Sequence, residues 1–223
     1  MQIKIVIDNI HYLALIDQAV SIAINLDLGG PQPNHFGAPN ASSHTLEMGS
    51  YIGDTRRGGS CNANVLTLIP HCNGTHTESV SHIINQLVAV HKAINQSLFP
   101  TRLISLRPIA ASQCEDSYQP SLQSENQVFT REQLENSLMN YSDTQLHGLV
   151  VRSLPNDKSK KQRCYDQQNY PPFFTNEAMD YIFERGVQHL LVDFPSVDKM
   201  YDDGLLSNHR IFLATSATLS RPR

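Results

Sequence analysis

Apolar and polar positions alternate along residues 1–8 and again along 11–16, which predicts two short strands joined at Asp8-Asn9. Residues 21–26 alternate less cleanly and are a candidate third strand. Leu28-Gly29-Gly30-Pro31-Gln32-Pro33 then breaks regular structure and opens a long polar loop that runs through Ser43. Strands are expected over 45–52 and 62–70. In the second, Val65-Leu66-Thr67-Leu68-Ile69-Pro70 reads as a buried strand ended by proline. From residue 78 to 96 the apolar positions are Val80, Ile83, Ile84, Leu87, Val88, Val90 and Ile94. Their steps of three and four predict an amphipathic helix with His82 one turn in. A strand follows over 101–107, then a short helix over 130–141 with Thr130 as N-cap. A strand over 147–153 precedes a helix capped by Thr175 and stopped by Gly186, and a strand over 187–194 closes the pattern. Strand, helix and strand in that order predict a right-handed α/β crossover. With no repeat and no linker, residues 1–223 are expected to form a single domain.

Composition narrows the function classes. Hydrophobic residues make up 40% and charged residues 17%, as in ordinary globular proteins. A net charge of −4 gives no polyelectrolyte signal, so nucleic acid is not an expected partner. No apolar stretch approaches the roughly 18 residues of a membrane span, and the N-terminus does not read as a signal peptide. Cys61, Cys72, Cys114 and Cys164 lack CxxC spacing and are expected as free thiols, with the cytoplasm as the expected location.

The chemistry is concentrated in His71-Cys72-Asn73-Gly74-Thr75-His76-Thr77-Glu78-Ser79-Val80-Ser81-His82, which carries three imidazoles, a thiol and a carboxylate. These donor types bind zinc, manganese or iron. His76 and Glu78, with either Cys72 or His71 brought round at Gly74, give three protein ligands and leave a position open for water. His82 is then placed as a general acid or base. On the long loop, His35, Phe36 and His44 read either as surface residues or, for His35 and Phe36, as a substrate-binding wall. Arg56-Arg57 is a solvated pair or an anion contact, and Lys158–Arg163 reads as a solvated basic loop.

Gly74-Thr75-His76-x-Glu78-x-x-x-His82 resembles the HxGTHxDxPxH signature of the cyclase family of metal hydrolases, which includes bacterial kynurenine formamidase and isatin hydrolase. Two later segments are also similar to that family. One is the strand ending Asp193-Phe194-Pro195-Ser196-Val197-Asp198, and the other is Asn208-His209-Arg210. The resemblance implies an α/β (mixed) fold with a barrel-like mixed β-sheet core flanked by helices, in a homodimer. It implies hydrolysis of a C–N bond in a small aryl-formamide or cyclic amide, with Zn2+ or Mn2+ as cofactor. By position, His76 matches a metal ligand, Glu78 an aspartate ligand, His82 the catalytic histidine and His209 a ligand of a second ion. The signature's first histidine falls on Cys72, beside His71, and Val80 stands where the family has proline. Asp193 is either a support for the ligands or a strand-end cap. Residues 210–223 hold no Asp or Glu, so the part after about 213 is expected to be truncated or divergent and a second ion is in question. That departure raises the alternative of a catalytically impaired relative that binds a metal or ligand.

Overall fold

A computed structural model describes residues 1–7 and 9–214; Asp8 and residues 215–223, on which the divergent tail falls, lie outside the described residues. The chain divides into two compact units. One comprises residues 1–21, 77–156 and 171–223, and the other comprises 22–76 and 157–170.

The first unit is built on a three-stranded parallel sheet. Gly148–Ser153 lies in the middle, with Thr101–Leu106 on one side and His189–Val192 on the other. The apolar run Leu149-Val150-Val151 suits a central strand: Leu149 and Val151 are fully buried. Gly148 has a steric reason, since a Cβ there would sit 2.5 Å from Thr101 Oγ1. Helices Arg131–Leu138 and Asn176–Glu184 cover this core with Leu134, Leu138, Ala178, Met179 and Ile182. Both helices start as their sequences predict. Thr130 and Gln133 form a capping box, and Thr175 Oγ1 accepts the Ala178 N–H. Asp116 joins the two starts: its Oδ2 accepts the Arg131 N–H and the Thr175 hydroxyl. Gly186 ends the second helix at φ 70°. Strands Gly148–Ser153 and His189–Val192 are parallel neighbours, as the crossover requires. Asp193 caps the central strand by accepting the Ser153 N–H at 2.8 Å.

A second small sheet places Gln127–Phe129 between Ile109–Ala110 and Phe173–Phe174. The expected N-terminal strands form a hairpin, Gln2–Ile7 with Ile10–Leu15, turning through Asn9 at φ 62°.

The helix expected over 78–96 does not form. Only the turn Val80–His82 and the single helical turn Val90–Ala93 are helical. Serine hydroxyls take the backbone partners a helix would need. Ser79 Oγ donates to the Val88 carbonyl, and Ser81 Oγ donates to the Gln86 carbonyl and accepts the Val88 N–H. This competition is the reason serine is a weak helix former.

The second unit is made of short pairs: Ser42–Thr45 with Asn64–Thr67, Glu47–Met48 with Tyr51–Ile52, and Asn34–His35 with Cys164–Tyr165. The strand expected over 45–52 instead doubles back at Gly49, φ 58°. Residues 21–26 form no strand. The run expected to be a buried strand is paired on one side, and Leu66, Leu68 and Ile69 are exposed. The paired arginines make ion pairs, Arg56 with Asp54 at 3.2 Å and Arg57 with Glu47 at 2.5 Å.

The mixed α/β class therefore holds. The expected barrel-like core does not appear: among the described residues no sheet exceeds three strands and none closes on itself. Strands of two to six residues bounded by turns leave too little ladder to close one. No helix among the described residues is long and apolar enough to cross a membrane.

Candidate functional site

In the first unit the site is assembled around His209. Asp202, buried in a loop, accepts the N–H groups of Gly204 and Leu206 through its two carboxylate oxygens. This holds Leu206 at φ 48°, a left-handed conformation unusual for leucine. The short helix Ser207–His209 starts from there, with the π-turn Arg210–Ala214 directly after it.

Asp198, 1% exposed, receives this helix. Its Oδ1 accepts the Asn208 N–H at 2.7 Å and the Tyr118 hydroxyl at 2.8 Å. Its Oδ2 accepts the His209 N–H at 3.1 Å and the ring Nδ1 of the same residue. The Asn208 amide donates to the carbonyls of Phe174 and Val197, at 2.7 and 2.8 Å. With Nδ1 held, the ring presents Nε2 to Glu78 Oε1 at 2.9 Å. Glu78 Oε2 lies 3.7 Å from His82 Nδ1, four residues on, and the His82 and His209 rings are 5.1 Å apart. His82 ends the turn Val80–His82, its N–H bonded to the Ser79 carbonyl at 2.9 Å.

Burial alone would push the His209 imidazole down. The bonds to Asp198 and Glu78 outweigh it and lift the pKa to about 9. Burial would likewise raise Asp198, but its bond with His209 prevails and holds the carboxyl below its usual range. Burial, then the Asp198 charge, pushes Tyr118 up, so its hydroxyl stays protonated and donates. The group is thus an imidazolium between two carboxylates, with a second imidazole beside one of them.

The second unit holds the other residues picked out from the sequence. His71 and Cys72 lie on the helical turn Pro70–Asn73 rather than on extended chain. Neighbours there diverge by about 100° instead of pointing oppositely. Asn73, fully buried, locks the turn: its Oδ1 accepts the Ile69 N–H at 2.7 Å and its amide donates to the Pro39 carbonyl at 3.1 Å. Gly74 has extended backbone, φ −176°, so no special glycine turn is made there. The His71 and His76 rings lie 4.6 Å apart, and His76 Nδ1 is 3.0 Å from the Gly74 carbonyl. Burial pushes the Cys72 thiol up, which disfavours the thiolate. His35 is buried, not on the surface. Its Nδ1 has no hydrogen-bond partner among the described residues, and burial lowers its pKa to about 4. Phe36 is half exposed at φ 64°, its ring 3.9 Å from that of His35.

The His71–His82 stretch passes from one unit to the other between His76 and Thr77. His71, Cys72 and His76 belong to one, and Glu78, His82 and His209 to the other. In the latter set two imidazoles lie against one carboxylate, and Glu78 and His82 are donors of the types that hold a divalent first-row ion. The model of the cyclase family matches residues 16–199.

The chain belongs to the cyclase family.

The matched range contains Cys72, His76, Glu78 and His82 and ends before His209. No curated protein matches this cyclase-family chain. Sequence reasoning singled out Asp193 near the site, but the acid on His209 is Asp198, five residues on. The only signal for it is its place at the end of the Asp193–Asp198 block. Tyr118, in the irregular 111–126 stretch, carries no sequence signal at all.

Proposed function

We propose that this cyclase-family chain is a metal-dependent hydrolase that cleaves the C–N bond of a small aryl-formamide or cyclic amide. The observation that carries the reading is the convergence of His82 and His209 on Glu78 in a chain of this family. In this reading the candidate ligands are those the family resemblance assigns, His76, Glu78 and either Cys72 or His71, with His209 for a second ion. A divalent ion held there would supply Lewis acidity, polarising a carbonyl and making water nucleophilic at neutral pH. Water adds to the carbonyl carbon, the C–N bond breaks, and the nitrogen leaves with a proton. His82 moves that proton from the attacking water to the leaving nitrogen. Glu78, beside His82 Nδ1, orients the imidazole for the transfer. Asp198 fixes the direction of His209. His35 and Phe36 form part of the substrate wall. The ion is Zn2+ or Mn2+, and a thiolate from Cys72 would favour zinc.

The test is metal content together with turnover of N-formylaniline by the metal-replete chain. One ion per chain and formate release support the reading. One specific observation favours a second reading, a relative that binds ligand without turnover: His209 is already satisfied between Asp198 and Glu78 by protons alone. Less than one ion per chain and no formate would select it.

A further inference from the structure

Tyr118 is 5% exposed and lies far along the chain from His209, yet it reaches the same carboxylate. Its ring packs edge-on against Phe173, with centroids 5.0 Å apart. Its hydroxyl accepts the Lys199 N–H at 3.0 Å and donates to Asp198 Oδ1 at 2.8 Å. The Asp198 N–H is in turn bonded to Ser196 Oγ at 3.1 Å. Asp198 Oδ1 is therefore held by two donors, the Tyr118 hydroxyl and the Asn208 N–H. Its Oδ2 is left aimed at the His209 backbone N–H and at ring Nδ1.

We propose that Tyr118 and Asp198 act as a positioning pair for His209, fixing Nδ1 as the donor nitrogen so that Nε2 is the one offered toward Glu78. Tyr118 touches neither Glu78 nor a reacting atom in this account; it acts through Asp198. The physical need is plain. A carboxylate with a free torsion can swing, and an imidazole that loses its partner can rotate or change tautomer. An imidazole bound to a cation through one nitrogen is commonly held by a carboxylate at the other, and losing such a partner weakens metal affinity by roughly 10–100-fold. What Nε2 meets rests on the hydrolase reading; the positioning itself does not.

The experiment separates the two. In metal-free protein carrying 15N-labelled histidine, the exchange of the His209 Nδ1–H with water is measured at one fixed pH. The signal is assigned by its loss in His209→Gln. Tyr118→Phe keeps the ring and removes the hydroxyl, and is expected to raise that exchange at least about 10-fold. Phe173→Leu weakens the packing of Tyr118 without touching the hydroxyl and is expected to leave exchange within about 3-fold. Unchanged exchange in Tyr118→Phe overturns the proposal, as does an equal rise in both variants. Should Tyr118→Phe fail to fold, Asp198→Asn takes its place: an amide oxygen accepts more weakly, so faster exchange supports the pair and unchanged exchange overturns it. Cobalt affinity is the second readout. A drop of about 10–100-fold in Tyr118→Phe, with a changed cobalt absorption spectrum, extends the positioning to the metal. If His209→Gln binds cobalt as wild type does, His209 is not a ligand and the exchange result alone decides the pair.

Discussion

At the scale of single residues, two histidines are asked to do different things. His76 is proposed to hold the ion and His82 to carry protons. His76→Ala should therefore abolish stoichiometric metal, measured by elemental analysis of the dialysed protein. His82→Ala should retain the metal and lose turnover by about 10²–10⁴-fold. An unchanged rate would remove His82 from the mechanism. His35 supplies a pH prediction. Burial holds it neutral with a pKa near 4, against 6.5 for an exposed imidazole. Between those values the unfolded chain binds the extra proton. The stability tied to His35 is thus full above about pH 6.5 and declines as pH falls toward 4, by up to about 3 kcal/mol. Urea midpoints at pH 7 and pH 4.5 should differ clearly in wild type and much less in His35→Phe. The donors themselves were legible as residue types in one twelve-residue stretch and His209. The buried partner Tyr118 was not, because a hydrogen bond across eighty residues leaves no local trace.

At the scale of elements, local rules succeeded where side chains and tertiary packing agreed. Thr130 and Thr175 start their helices, and Gly186 stops one, where their residue types predict. Thr175 is fully buried and bonded to both Ala178 and Asp116. Thr175→Ala should lower unfolding stability by about 1–2 kcal/mol in urea titration, whereas Thr130→Ala should cost about 1. Equal stability to wild type in Thr175→Ala would contradict the role given to Asp116. The 78–96 stretch shows the opposite case. Its apolar spacing is helical, but Ser79 and Ser81 satisfy backbone groups across a loop, and periodicity alone does not register that competition. The Val65–Ile69 run enters the strand Asn64–Thr67 but is not buried, for a related reason. An apolar run signals a strand but not how many neighbours cover it, and this one has a single partner.

At the scale of the whole molecule, the mixed class and the parallel 148–153/189–192 pair could be read from the order of elements. A barrel-like core does not appear, because the sheets stay small and separate among the described residues. The N-terminal hairpin leaves Val6, Ile10 and Leu13 about half exposed, and a two-stranded sheet is marginal alone. A homodimer, which the family resemblance implies, would cover them. Light scattering after gel filtration should give twice the 25.0 kDa chain mass, and a monomer mass at micromolar concentration would count against it.

The central claim is that a divalent cation sits among donors drawn from residues 71–82. Anomalous diffraction from crystals of zinc-loaded protein tests it most directly. The account predicts a metal peak about 2.0–2.2 Å from a carboxylate oxygen of Glu78 or an imidazole nitrogen of His76. Zinc-replete crystals with no peak in reach of either residue would contradict it.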